Sequence, residues 1–415
     1  MKKKEIVIVV LLIAFGFIYN AVEKGKVRFA EDFSLALNER SLVSVQYAEF
    51  PQQEKVFPAT EQITIDNPAG EIVIDRSTDG QAHLWTFFRV YYTDKADVEK
   101  ISRQAKVHAG VETNELKISV DYPALFPYKR LRIHFRLLIP EGAALAVSNH
   151  EGNISIRHGG KSVLIKQEKG NVFLEDILAA AQLELRAGNL DAKNIAGKII
   201  VDARYGDVRI ENAAALQMKG KHGNISLKNI TNDVFVEHAF GDVTLDGAGQ
   251  AEIHGRHSKI VARHIKNSVK ITSTFQGIFV ESIHGDIQLS SRSGRVEMRS
   301  VDAKNIIIEN SFADIAVVDC SGENVNILLK NGNLNFQDSR ISDRMNIESQ
   351  QANIHLSLGV LADPLFTIKT VRGRIFNHSS TALEIYQEKD EYFANRNGQK
   401  PEIIINNHYG DIYIN

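Results

Sequence analysis

A five-residue phrase recurs along this chain from about Gly152 to Gly373, and few folds accommodate such a repeat. It is Gly, then Asn or Asp, an aliphatic residue, any residue, and a second aliphatic. It reads Gly152-Asn153-Ile154-Ser155-Ile156, Gly170-Asn171-Val172-Phe173-Leu174 and Gly188-Asn189-Leu190, then Gly206-Asp207-Val208, Gly223-Asn224-Ile225 and Gly241-Asp242-Val243. Weaker copies begin at Ser258, Gln276, Gly294, Ala313, Gly332, Ala352 and Gly373. The step is about eighteen residues, the range in which each repeat is one unit that buries its apolar face only against its neighbours.

Midway between the copies lies a second aliphatic-x-aliphatic pair, as in Val163/Ile165, Leu183/Leu185, Ile199/Val201 and Val234/Val236. Alternation of this kind is the period of a half-buried strand. A further apolar residue comes after each glycine phrase: Ile177, Ile195, Ile230, Ile265, Ile283, Val301, Cys320. About five inward residues per turn fill a narrow core once turns stack. The pattern predicts an all-β fold, a single-stranded parallel β-solenoid (β-helix) of about 18-residue turns. Roughly a dozen turns give a rod about 55–60 Å long. Glycine suits the corner because a sharp bend often needs positive φ. Asn and Asp beside it tolerate the left-handed region and bond to nearby backbone.

The phrase G-[DN]-[VI]-x-[LV], with a second strand between copies, resembles the bacterial putative-adhesin β-strand repeat family, DUF4097, over about Ile63 to Ile414. The resemblance implies a β-solenoid fold and a surface or adhesive role, and it brings no catalytic residues. One departure stands out. The family often has a small residue before the glycine, as in Ser293-Gly294, whereas this chain often has an aromatic residue or His there.

The N-terminus has a different character. Three lysines precede an apolar run from Ile6 to Tyr19. Basic residues ahead of such a run place the N-terminus in the cytoplasm and the chain beyond the run outside it. The run is shorter than the roughly 20 residues of a spanning helix, but extension to Val22 and a snorkelling Lys4 nearly reach that length. A cleaved signal peptide is the alternative, although bulky Tyr19 sits badly before a cut after Ala21. The expectation is one N-terminal transmembrane helix, with the solenoid periplasmic or extracellular beside the cell (inner) membrane. Residues 1–22 form this anchor and residues 23–60 a stalk, where Phe29, Phe33 and Leu37 fall at helical spacing. Residues 61–150 hold a first solenoid turn and a capping insertion with an aromatic strand, Leu84 to Tyr92, and a helix from Asp94 to Ala105. Residues 151–378 are the repeats. Residues 379–415 are a C-terminal cap and last turn.

Composition narrows the chemistry. Charge is balanced, 49 Lys and Arg against 51 Asp and Glu, so no basic stripe argues for nucleic acid. The one cysteine, Cys320, takes a place that other repeats fill with Ile or Val, which predicts a buried, unreactive thiol. Gly159-Gly160-Lys161-Ser162 looks like the tail of a phosphate loop, but Ser155 stands where that motif needs its first glycine, so no nucleotide is expected. His254, His257 and His264 cluster in sequence without metal-ligand spacing; neither metal nor cofactor is expected. Asp207, Asp242, Asp286, Asp314 and Asp411 sit beside corners, and Asn replaces them in other turns, which favours backbone bonding over acid–base chemistry.

The corner position before the glycine reads Tyr205, His222, Phe240, His257 and Phe275 on successive turns. Such a row predicts stacked rings that stiffen the corner. The competing reading is an exposed aromatic strip that contacts a glycan or protein ligand. The chain is thus expected to be a noncatalytic envelope interaction or scaffold protein. A polysaccharide-acting β-helical enzyme and a self-assembling β-helical scaffold are the alternatives.

Overall fold

The computed structural model describes residues 46–50, 53–92, 95–121, 131–359, 361 and 363–415. The expected anchor and residues 23–45 of the expected stalk lie outside them. Among the described residues no helix is long and apolar enough to cross a membrane.

The repeats form a parallel β-solenoid. Twelve turns succeed one another in chain order from Ala144 to Leu358, in register steps such as Ile154 to Val172, Leu190 to Val208 and Val243 to Ile260. The glycine-phrase strands stack on one side and the midway strands on the other. Inward residues of both are almost completely buried, for example Ile225, Val243, Ile260, Ile199 and Val234. Cys320 is buried in the same core, where loss of solvent pushes its thiol up to about 11, so it stays protonated.

Each turn has two special corners. At the first, Gly188 has φ 131°, and a side chain there would run into the backbone carbonyl of Gly170 one turn away. Close stacking therefore demands glycine as strongly as the bend does. The second corner is a left-handed residue after each glycine-phrase strand: Asp176, Asn194, Asn212 and Asn229, all with φ near 55–58°. Their side chains bond in file, Asn194 donating to Asp176 at 2.8 Å and Asn212 to Asn194 at 2.9 Å. These residue types pay little for this conformation and offer both donor and acceptor.

The ends depart from chain order. At the N-terminal end Gln62–Asn67 lies between Ala144–Glu151 and Glu115–Asp121, and Ile72–Arg76 lies between Ile154–Arg157 and Leu131–Ile139. The insertion thus supplies an extra outermost layer. At the other end the final strands Glu402–Asn407 and Ile412–Ile414 slot between the turn at Leu334–Leu358 and the turn at Leu365–Asn377. The last turn in sequence is therefore not the last in space.

Both ends then switch to antiparallel pairing. Ala82–Tyr92 covers Leu131–Ile139, and Lys106–Glu112 covers Glu115–Asp121. Glu391–Arg396 covers Leu365–Val371 and is itself paired with Glu384–Glu388. Unpaired strand edges invite pairing with another chain, and these strands occupy them. The expected helix is present as Lys95–Gln104, with Ile101 fully buried. The stalk reading needs correction over its described part. Gln46–Glu49 and Gln53–Phe57 are strands that pair antiparallel with Ala82–Tyr92, because that aromatic strand presents a second open edge.

Candidate functional site

The ring row is the most distinctive surface of the rod. Parallel register brings Tyr205 beside His222, and the same corner continues through Phe240, His257 and Phe275. Ring centroids stand 5.0 Å apart for Tyr205–His222, 5.1 Å for His222–Phe240, 5.0 Å for Phe240–His257 and 4.2 Å for His257–Phe275. Interplanar angles run from 1° to 14°. Tyr205, Phe240 and Phe275 are 53%, 40% and 48% exposed, so the strip is half covered rather than submerged. Inner rings have a neighbour on each face, which leaves their edges towards solvent. Phe240 and His257 also adopt left-handed backbone, with φ 65° and 59°. That conformation is a genuine outlier for a bulky residue such as Phe240, whereas His adopts it more readily.

A second row flanks the first and escaped the sequence reading. The residue before the ring is Arg204 at Tyr205, Lys221 at His222 and Arg256 at His257, with Ala239 and Thr274 at the other two rings; Arg292 holds the same place before Ser293. Arg186 begins this row and pairs with Glu168 at 2.8 Å. The others differ. Arg204, Lys221 and Arg292 have no ion-pair partner among the described residues, nor have Lys259 and Arg295, which stand two places after the ring position on their turns, and Arg256 lies 5.6 Å from the Phe240 ring. The expectation of no basic stripe holds for overall composition but not for this corner, because residues one turn apart in space are about eighteen apart in sequence. Reading the chain in columns of that period is the signal that finds it.

The corner carboxylates serve the backbone. Asp207 accepts the Asn224 amide at 2.7 Å, Asp314 the Asn333 amide at 2.8 Å and Asp411 the Arg374 amide at 2.8 Å. Asn153, Asn171, Asn189 and Asn224 make the same bond to the next turn at 2.9–3.1 Å. Asp286 accepts both the backbone and side-chain N–H of Asn305. These acids are spaced along the rod and do not converge.

The three neighbouring histidines separate. His254 pairs with Glu252 at 3.0 Å, His264 with Asp246 at 2.6 Å, and His257 stays in the ring row. No group of three or more metal-ligating side chains occurs among the described residues. Gly160 lies in an ordinary turn, where a side chain would meet the Ala143 carbonyl. Inside the glycine corner sits another polar file that the sequence pattern hid. Asn149 and Asn310 donate to glycine carbonyls, and His238 takes the same place between Gly220 and Gly255. Burial pushes the His238 pKa down, with the Gly223 and Gly220 carbonyls opposing.

Two shallow cavities lie near the N-terminal end. One, of 640 Å³, is lined by Lys166, Glu168, Glu184, Arg186 and Asp202, whose charges largely pair with each other. The other, of 610 Å³, lies under the aromatic cap strand and includes Phe87, Arg89, His134 and Arg136. His134 Nδ1 accepts the Glu71 amide at 3.3 Å, and burial holds its pKa low.

Several solved structures are similar to this rod. A putative adhesin from Bacteroides fragilis is 15% identical, covering 65% of this chain and 98% of its own, with a TM-score of 0.30. A putative lipid binding protein from Parabacteroides distasonis is 16% identical, covering 62% and 93%, with a TM-score of 0.28. A putative cell adhesion protein from Clostridium sporogenes is 9% identical, covering 88% and 98%, with a TM-score of 0.19. At these scores the likenesses carry no functional argument. No curated protein matches the chain. The Toastrack DUF4097 family model matches residues 60–274 and 265–415, together nearly all of the solenoid and its caps. The chain belongs to the Toastrack DUF4097 family.

Proposed function

We propose that this chain is a noncatalytic interaction rod of the bacterial envelope, anchored by Ile6–Tyr19 with its solenoid outside the cytoplasm. The observation that carries the reading is the use of the corner acids. Asp207, Asp314 and Asp411 accept backbone amides of the adjoining layer, and Asn does the same in sister turns. Acid–base catalysis on a polysaccharide needs a pair of carboxylates flanking one bond. Acids spread singly along a ridge are poorly placed for that work. What the rod presents instead is a long, repetitive surface, and the ring row Tyr205, His222, Phe240, His257 and Phe275 is its candidate contact strip for a glycan or protein. Antiparallel strands over both ends support a discrete rod rather than an end-to-end filament.

The test is fractionation of the producing cells. The chain should stay in the membrane pellet through alkaline carbonate washing, and protease added outside the cytoplasmic membrane should digest the solenoid. Recovery in the soluble cytoplasm, with the solenoid protected in intact spheroplasts, would overturn the reading.

A further inference from the structure

We propose that the corner formed by residues 256–259, 274–277 and 292–295 binds a linear acidic polysaccharide. The proposal rests on the envelope-interaction reading above and names its ligand chemistry. Four cations stand here on two alternate turns: Arg256 and Lys259, then Arg292 and Arg295. All four are exposed, and the three corner segments contain no carboxylate. Lys259, Arg292 and Arg295 lack ion-pair partners among the described residues, whereas cations elsewhere on the rod commonly pair across turns, as Lys270 does with Glu252 at 2.8 Å and Arg263 with Glu281 at 2.9 Å.

The repeat itself gives way at this place. From Asn153 to Asp242 and from Asp314 to Asn353 this corner place is Asn or Asp, and its side chain commonly ties one turn to the next. Between Asp242 and Asp314 that column reads Lys259, Gly277 and Arg295. Three successive turns forgo the structural bond, and two of them carry a cation instead. A local rule broken without a packing gain marks a functional site more often than a structural one.

The rings fit an anion better than a neutral sugar face. His257 and Phe275 stack at 4.2 Å, so the face between them is closed. The exposed perimeter is the ring edge, which carries the positive part of the aromatic quadrupole. A row of positive edges flanked by guanidinium and ammonium groups suits carboxylates spaced along the rod axis. The two cation pairs lie two turns apart, about 9.6 Å, close to a disaccharide unit of an extended glycan. An outer corner with no enclosing walls suits a polymer lying across it more than a small molecule, which prefers a concave site. The patch is also bounded. Asp242 lies on one side and Asp314 on the other in the same column, which disfavours a long nucleic acid or a broad membrane surface.

The experiment uses the full-length chain in detergent micelles and isothermal titration at two ionic strengths. Polygalacturonate is the probe, with neutral dextran, single-stranded DNA and anionic phospholipid vesicles as comparators. Polygalacturonate should bind, weaken with salt, and lose at least tenfold in affinity with Arg256→Gln, Lys259→Gln, Arg292→Gln and Arg295→Gln combined, at unchanged thermal stability. Exchanging each Arg for Lys and Lys259 for Arg should largely keep binding. The proposal falls if polygalacturonate does not bind, if the Gln variant binds equally, or if DNA or vesicles bind more tightly through these residues. Binding of dextran alone, unaffected by the Gln variant, would remove this proposal and leave the envelope-interaction reading intact. Shortening of polygalacturonate held at this corner would do the reverse, sinking the noncatalytic reading while the binding site stands.

Discussion

Replacing Gly188 with Ala tests why the corner glycines exist. The substitution introduces two costs. A residue with a side chain at φ 131° is strained, by about 1–2 kcal/mol on the scale of left-handed backbone. The new methyl group also collides with the Gly170 carbonyl, so the two turns must part at this corner. Three bonds hold them there: Gly170 N–H to Ala187 O, Val172 N–H to Asn189 O and Asn189 N–H to Asn171 Oδ1, each 2.9 Å. Weakening all three at about 1 kcal/mol apiece gives roughly 3 kcal/mol, and the total is then about 4–5 kcal/mol. Gly80→Ala is the control. Gly80 has φ 77° but nothing within 4 Å of its added methyl, so only the backbone cost of about 1–2 kcal/mol applies. Urea denaturation measures the whole chain, and hydrogen exchange at the Gly170 and Val172 amides reads the local opening. The difference of about 3 kcal/mol corresponds to roughly a hundredfold faster exchange at these amides. Equal effects of the two substitutions, or unchanged exchange in Gly188→Ala, would refute the stacking argument.

Phe240→Ala removes ring contacts at 5.1 and 5.0 Å and should cost about 1–2 kcal/mol, seen as a lower unfolding midpoint; an unchanged midpoint would mean that the row does not stiffen the corner. Asp207→Asn keeps an acceptor for the Asn224 amide and should leave stability within error, while Asp207→Ala should cost about 1 kcal/mol; a large loss in Asp207→Asn would reveal a role for the charge. Burial holds His238 below its ordinary pKa, so the unfolded chain takes up a proton that the folded chain resists. The stability it contributes is fully present above about pH 6.5 and is lost as pH falls towards its folded-state pKa. His238→Asn places there a residue type already found inward at 149 and 310, and the parent-minus-variant stability should fall with pH below that point; a difference flat in pH would exclude the effect.

Much of this fold was legible because a solenoid writes itself into sequence at fixed intervals. The alternation around Ile154, Ile225 and Val243 gave strand position and facing, and the nine-residue offset to the midway strands gave two strands per turn. The order of layers was not legible at the ends. Ile403/Ile405 and Ile412/Ile414 repeat the same spacing, and spacing is identical whether a turn stacks last or slips between two others. The insertion hid its outer layer for the same reason, since Leu116 and Phe135 belong to one layer but stand nineteen residues apart in sequence instead of nine. The left-handed second corner was missed because His158, Asp176, Asn194 and Ser282 all occupy it, and no single residue type marks it. Of the candidate site, the rings were visible as a column of similar residues. The cations were not, because the column before the rings mixes Arg204, Lys221, Ala239, Arg256 and Thr274, and its meaning depends on which charges find partners in space.

A noncatalytic envelope-binding rod should be retained on native envelope material without degrading it. Purified full-length chain in micelles is mixed with envelope polysaccharide from the producing bacterium, and sedimentation of the chain is tracked together with release of reducing ends. The chain should cosediment with the polysaccharide, and reducing ends should not increase over time. Reducing ends that rise in proportion to added protein, or a chain that stays wholly in the supernatant, would contradict it.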